Sequence, residues 1–325
     1  MIDWVTLRGY VGAHEPISDG AIISVSADGE LEWQTRRRLA VESPSSETNV
    51  FIRSVDSQTV EVSGNLLRWL QGHNIVGIED VASIVTGWCA AATRRDVPLP
   101  TQWGELTLTR VDIAHCYDLG SSEAVIDWLR HAASGGHMRN RGRGSLIAEG
   151  TVYWGQRSRR WSLKAYDKEA ELKHHKRGEA VAARGLLRVE TTYRGLELTR
   201  LGLAPLAAWG HNSAKVLYMS AIEKFTLPEG VSHPKELVAD VPLHLRGTLL
   251  MWAEGIDVRS VMSRATAYRH RRELLAHGVD VFTAANPNWA TPPLRTYPHP
   301  RDMTPIGLDW ARERGLTVWT PSPVN

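Results

Sequence analysis

Three stretches of this chain alternate apolar and polar residues with a period of two: "TRVDIAHCYD" (109–118), "RRWSLKAYDK" (159–168) and "LLRVETTYR" (186–194). Such a pattern buries one side only as a β-strand, because successive side chains point to opposite faces of the pleat. In the first stretch Val111 and Ile113 share a face, and Asp112, Ala114 and Cys116 take the other. In the second, Trp161, Leu163 and Ala165 oppose Ser162, Lys164, Tyr166 and Lys168. In the third, Leu187, Val189 and Tyr193 oppose Arg188, Glu190, Thr192 and Arg194. If the three strands are neighbours in one antiparallel sheet, an Asp, a Glu and a Lys-Tyr-Lys set converge on one face.

That convergence has a chemical use. Two carboxylates are a minimal oxygen site for Mg²⁺ or Mn²⁺, and such an ion polarises a phosphoryl oxygen. A tyrosine between two lysines suits attack on a phosphate, the lysines lowering the phenol pKa and holding the phosphate. The product is a phosphotyrosine ester that stores the energy of the cut bond. The competing reading is a wet outer face with surface ion pairs of little value. His115, on the apolar side of its strand, is expected to be a satisfied core histidine.

The first 200 residues read as α+β. Strands are expected in "DWVTLRG", "AIISVSA", "ELEWQTR", "NVFIRSV" and "QTVEVSG", with a hairpin turn at "ADGE". Helices are expected in "NLLRWLQG", ended by Gly72, in "IEDVASIVTGWCAAATRR", and in "SSEAVIDWLRHAASGG", capped by Ser121 or Ser122 and stopped by Gly135. "EAELKHHKRGEAVAAR" also reads as helix. Three units follow: 1–200 as the chemical core, 201–285 as a helical DNA-binding or accessory region, and 286–325 as a proline-rich irregular tail.

Composition narrows the class. Two cysteines, Cys89 and Cys116, make no disulfide framework and point to a reducing compartment. The opening "MIDWVTLRGY" predicts no signal peptide, and no stretch reaches the roughly 18 apolar residues of a membrane helix. Net charge is only +2, yet residues 137–177 are strongly cationic, the footprint of a polyanion. There Arg139, Arg141, Arg143, Arg157, Arg159 and Arg160 are candidates to guide a nucleic-acid strand. Trp154 and Trp161 can stack on bases or fill the core, and for Trp161 the core is expected. "DVRSVMSRATAYRHRRELLAHGVDV" reads as a helix pair of DNA-binding type, with Arg264, Arg269, Arg271 and Arg272 as candidate contacts.

Several of these stretches, in order, resemble the replication initiators of filamentous bacteriophages, which are rolling-circle nickases. They are "MIDWVTLR", "LQGHNIVG", "TRVDIAHCYD", "VIDWLRHAASG", "GTVYWGQRSRRWSLKAYDKEAEL" and "LLRVETTYR", with a weaker match through "TAYRHRRELLAHGVDVF". The resemblance implies an antiparallel-sheet nickase core and a mainly helical C-terminal region. It implies a nick in the plus strand of a double-stranded origin, a 5′-phosphotyrosine intermediate, and later cutting and closure of the displaced single strand. Tyr166 takes the nucleophile's place and Lys168 that of the motif lysine. Arg110 with Asp112, and Arg188 with Glu190, fill the two Arg-hydrophobic-acid motifs. The chain has no His-hydrophobic-His pair, so Asp112 and Glu190 are the expected metal ligands. His73 is a third candidate, or else a helix-end histidine bonded to backbone. The resemblance further implies a host helicase, single-strand-binding protein and DNA polymerase as partners, a possible homo-oligomer, no membrane, and the cytoplasm of a bacterial host. The rival reading is a non-catalytic, sequence-specific DNA-binding regulator of phage replication.

Overall fold

The computed structural model describes residues 1–17, 20–95, 104–138, 142–143, 145–147, 150–227, 241–283 and 297–321. The strands are β1 (Ile2–Tyr10), β2 (Ala21–Val25), β3 (Leu31–Arg36), β4 (Leu39–Glu42), β5 (Asn49–Ser54), β6 (Thr59–Gly64) and β7 (Leu106–Asp118). They continue with β8 (His137–Met138), β9 (Gly142–Arg143), β10 (Ser145–Ile147), β11 (Thr151–Trp154), β12 (Trp161–Asp167), β13 (Leu186–Arg194) and β14 (Phe225–Thr226). The helices are α1 (Leu66–Gln71), α2 (Val81–Thr93), α3 (Ser122–Gly135), α4 (Lys168–His174), α5 (Gly195–Arg200) and α6 (Ser213–Ile222). After them come α7 (Leu243–Ala253), α8 (Val258–Val261), α9 (Arg264–Leu274) and α10 (Leu308–Glu313).

The α+β expectation holds. Among the described residues, nine strands form one sheet in the order β10-β11-β12-β13-β7-β1-β6-β5-β4, each pair antiparallel. The three alternating segments, β12, β13 and β7, lie side by side at its centre. Their register sets Lys164 opposite Glu190, Thr192 opposite Asp112 and Tyr166 opposite Arg188. Since one-residue slips would reverse every side chain, this register alone decides which residues meet.

The apolar face packs against α2, α3 and α6 in one core that includes Trp88, Trp128 and Tyr218. Trp154 and Trp161 both belong to it, and the Trp154 indole donates to the Gly136 carbonyl at 3.1 Å. Neither is a base-stacking platform. His115, expected to be a satisfied core histidine, is on the apolar side but only partly buried, its ring against Tyr218 and its Nε2 3.0 Å from Glu79 without a well-formed hydrogen bond.

The polar face is not wet. One end of it is roofed by residues 72–80, by α4 and the turn of 3₁₀ helix after it, and by the chain's last described segment. Cys116 and Leu186, both on that face, pack there with Ile75, Val76, Leu172, Ala183 and Ala311. The stretch 286–325, expected to be irregular, includes α10, whose Ala311 enters this small core. Trp319 lies against Gly87 of α2, and Ile306 donates its N–H to Cys116 O at 2.9 Å. Proline density hid an apolar docking segment.

Local signals mostly behave as expected. Gly29 closes the "ADGE" hairpin at φ 84°, and Gly72 ends α1 in the left-handed region at φ 93°. Ser121 caps α3, but the chain leaves that helix at Gly136 in an extended conformation, not at Gly135. The "EAELKHHKRGEAVAAR" helix is broken in two at Lys176, whose φ is 53°.

Gly185, which introduces β13, carries a sharp requirement. Its φ is 75°, and a Cβ there would stand 2.9 Å from the Ser121 backbone nitrogen. Gly185→Ala is therefore expected to cost more than about 1 kcal/mol. A denaturant midpoint unchanged from the parent protein would refute this.

Candidate active site

The site is built on β12, β13 and β7, and the hydrogen-bonded ladder fixes its geometry. The Tyr166 hydroxyl donates to Glu190 Oε2 at 3.3 Å. Lys164 Nζ pairs with Glu190 Oε1 at 2.9 Å and lies 5.2 Å from the centre of the Tyr166 ring. Asp112, one diagonal step along the same face, is held by both arms of Arg110 at 2.9 and 2.6 Å. The wet-face alternative fails on burial, since Glu190 is 1% exposed and Asp112 2%. Charges this deep have to be paired, so the arrangement is a built one.

Behind this group lies a network that strand alternation does not reveal. Arg188, fully enclosed between β12 and β7, forms an ion pair with Asp3 at 2.8 Å and donates to the Asn74 carbonyl at 2.6 Å. Asp3 also accepts from the amides of Asn65 and Asn74 at 2.8 and 2.9 Å. Asn74 Oδ1 in turn accepts from Lys168 at 2.9 Å and from Arg68 at 3.1 Å. Asn74 is thus the hub that ties the loop after α1 to the floor of the site. In sequence, Asp3 and Asn74 look like ordinary strand-edge and loop residues; the only trace of them lies in "MIDWVTLR" and "LQGHNIVG", which carry part of the resemblance.

Electrostatics follow from burial. Burial drives the Glu190 carboxyl up to about 7, with Lys164 opposing and the nearby Asp3 and Asp112 charges adding to the rise. Burial would also raise Asp3, but the Arg188 and Lys168 cations overcome it and hold Asp3 well below the carboxylate range. Tyr166 departs from expectation. Burial pushes its phenol well above the ordinary value, and Arg188, not a lysine, is the main opposing cation. A buried phenol of this kind needs a proton acceptor, and Glu190 is the group in reach.

The two lysines exchange weight. Lys168 is 0% exposed and its ammonium is held by Asn74 and by Glu171 at 2.7 Å, with burial pulling its pKa down. Lys164 is the one that stands on the open side, its side chain 24% exposed. His73 is not brought to the carboxylates. Its Nε2 is 2.7 Å from the Thr317 carbonyl and its Nδ1 accepts from Ile75 N–H at 3.3 Å, the backbone-bonded alternative.

Among the described residues, no three His, Cys, Asp or Glu side chains cluster tightly enough to enclose a metal ion. Asp112 and Glu190 still suit Mg²⁺, which keeps several waters and is commonly held by one or two carboxylates together with substrate phosphates. Each carboxylate is matched by a cation from the open side, Arg110 and Lys164, and the Arg110 side chain is 43% exposed.

Beyond Asp112 the same face turns basic. Arg194 donates to Ser162 at 3.2 Å. Exposed Arg157 and Arg159 in the β11–β12 turn border a shallow basin with Arg194 and Gly195, and Arg160 reaches Glu197 at 3.4 Å. Arg139 and Arg141 lie outside the described residues, as does the side chain of Arg143. In the C-terminal helices Arg264, Arg269 and Arg272 are exposed, whereas Arg271 is clamped to Asp280 at 2.7 and 2.5 Å.

Residues 1–212 match the Phage CRI family, described as the N-terminal part of the phage replication-associated protein. The chain is 33% identical over 305 residues to the replication-associated protein of Enterobacteria phage I2-2, covering 86% of this chain and 88% of that one. A solved rolling circle replication initiator protein from Geobacillus stearothermophilus overlaps 71% of this chain and 86% of its own at 10% identity, with a TM-score of 0.35. That likeness is too loose to bear on fold or function.

Proposed function

Since the chain belongs to the phage replication-associated protein family, we propose that it is a site-specific DNA nickase and strand transferase that starts and ends rolling-circle replication of a phage genome. The observation that carries this reading is the Tyr166 hydroxyl aimed at Glu190 beside Lys164.

In the proposed step the Tyr166 oxygen attacks the phosphorus of the scissile phosphodiester. The O–P bond to tyrosine forms as the P–O3′ bond breaks. The phenol proton passes to a carboxylate oxygen or water at the site, and the departing 3′ oxygen takes a proton to become the priming hydroxyl. Lys164 offsets charge on the phosphate. Lys168, from within the buried network, keeps Asn74 and the strand end in place. Asp112 and Glu190 are the residues that would hold Mg²⁺ or Mn²⁺, which supplies Lewis-acid polarisation of the phosphoryl oxygen when bound. Arg157, Arg159, Arg160 and Arg194 lie along the face by which a single strand would approach.

The proposed substrates are the double-stranded origin and the displaced single strand, in the cytoplasm of a bacterial host, with host helicase, single-strand-binding protein and polymerase acting on the primed circle. Residues 1–200 are assigned the chemistry, 201–285 DNA binding, and the described part of the last unit, residues 297–321, a structural role in packing onto the first. A homo-oligomer on the origin fits the same scheme.

The test uses purified protein, supercoiled DNA bearing the phage's intergenic region, and Mg²⁺. Nicked circles carrying a protease-resistant peptide that contains Tyr166 are expected. EDTA is expected to abolish nicking, and Asp112→Asn to lower it by about 10²-fold or more in Mg²⁺. Sequence-specific binding with no cleavage in either Mg²⁺ or Mn²⁺ would instead establish the regulator reading, and an undiminished Asp112→Asn would remove that residue from the site.

A further inference from the structure

Residues 241–283 form a module with its own core. Leu245, Leu249 and Trp252 of α7 pack with Val258 of α8, Leu274 of α9, and Val279 and Val281 beyond it. Two residues, Met262 and Ser263, join α8 to α9, and Ser263 caps α9 by accepting from the Thr266 N–H at 3.2 Å. A single turn of helix thus leads into the longer α9 across a two-residue link. Ala267, His270 and Leu274 face inward from α9, and His270 Nδ1 is 2.7 Å from the buried Thr248 hydroxyl.

The outer face of α9 is different in kind. Arg264, Ala265, Tyr268, Arg269 and Arg272 form one stripe, all exposed, with Tyr268 50% exposed. Three of the module's four acids are engaged with other partners: Asp257 with Arg259, Asp280 with Arg271, and Glu273 with His244; the fourth, Glu254, follows α7 and is not on α9. Arg269 and Arg272 close no ion pair among the described residues, although the Arg269 charge is felt at Glu273 one turn on, and Arg264 stands over the Tyr268 ring at 5.7 Å. Val261, at the end of α8, adds a 53% exposed apolar group beside the stripe.

We propose that α9 is a recognition helix that enters the major groove of double-stranded DNA, with Arg269 and Tyr268 toward the base edges and Arg264 and Arg272 on the flanking phosphates. The choice of DNA as partner rests on the function proposed above; the surface itself lies outside the residues matched by the family. A helix with its side chains is about 10–12 Å across, a fit to a groove about 12 Å wide, and the 11 residues of α9 give it about 16 Å of length to present there. A row of guanidiniums interrupted by an alanine and a tyrosine offers both hydrogen-bond donors and apolar contact, which is what base edges and thymine methyl groups accept. An extended single strand has no groove for the helix to enter. Arg271, placed among the contacts by sequence alone, works instead as the clamp that fixes the segment after α9 against it.

The test is equilibrium binding by the full chain in EDTA, so that no cleavage enters the readout. The probes are a short duplex from the phage's intergenic region, a duplex of random sequence, and the single strand of each. The variant Arg269→Ala/Arg272→Ala is expected to weaken binding to the intergenic duplex by about tenfold or more and to lower the salt slope by about 1 to 2. Its preference for that duplex over the random one is expected to shrink, while single-strand affinity falls less. Arg312→Ala, an exposed arginine on α10, serves as the control. Both substituted positions are at the surface, so an unchanged melting temperature is expected alongside. Unchanged duplex affinity and salt slope would overturn the proposal. So would an equal loss for duplex and single strand, which would make the stripe a general phosphate clamp.

Discussion

Tyr166→Phe is expected to bind origin DNA with near-parental affinity and to form no covalent adduct, with nicking down by about 10⁴-fold or more. The substitution removes one oxygen from a ring whose packing is otherwise set by Lys164 on one side and the β12 ladder. It leaves Glu190 without the hydroxyl it now accepts from, but Lys164 remains 2.9 Å from the other oxygen of that carboxylate. The fold should therefore survive and the chemistry should not. The measurement is a denaturing gel of protein with end-labelled origin DNA, followed by peptide mapping of the parent adduct. An adduct of undiminished yield in Tyr166→Phe would mean that another tyrosine attacks. Tyr153 and Tyr193 are the neighbours to inspect. Tyr193 lies on the apolar face, 3% exposed and hydrogen-bonded to the Leu217 carbonyl, and is poorly placed to serve.

Arg188→Met is expected to destabilise the protein by about 3–5 kcal/mol. Arg188 is 0% exposed and is the cation nearest to Asp3, with Glu190 at 3.8 Å from its Nε. Removing it strands the buried Asp3 carboxylate and frees the Asn74 carbonyl, each of which is costly without a partner. The loss should come mainly from the stranded charge, not from a special strength of the pair. Adding Asp3→Asn should then recover a substantial part of it, because a neutral amide can stay with Asn65 and Asn74. Denaturant midpoints of the two single variants and the double variant measure this coupling. Additive losses across the cycle would refute the account.

Much of the candidate site is legible in the amino-acid sequence, for a simple reason. Period-two alternation assigns each residue of a strand to a face, so Asp112, Glu190, Lys164 and Tyr166 group together once their segments are recognised as strands. Hairpin turns and helix caps are equally local, as the Gly29 turn and the Ser121 cap illustrate. The failures share a different cause. Lys168 follows the strand alternation on paper, yet the chain turns into α4 there and carries its ammonium into the buried network. Arg271 looks like its neighbours on a basic helix, yet Asp280, nine residues away, takes it. His73 has the chemistry of a metal ligand, but its ring nitrogens answer to Ile75 and to Thr317, the latter from the far end of the chain.

The sequence by itself determined which side chains share a strand face, where the local turns and caps fall, and which family the chain resembles, because those properties depend on residues a few positions apart. The tertiary structure decided that β12, β13 and β7 are neighbours, that one end of the polar face is roofed, and that Asp3, Asn74 and Arg188 lock together behind Tyr166. It also decided the phenol's direction of shift, since burial depends on what covers a residue. Strand order and burial are set by contacts between segments well separated in the chain, such as Lys164 with Glu190 and Arg188 with Asp3, and no period in the sequence records them.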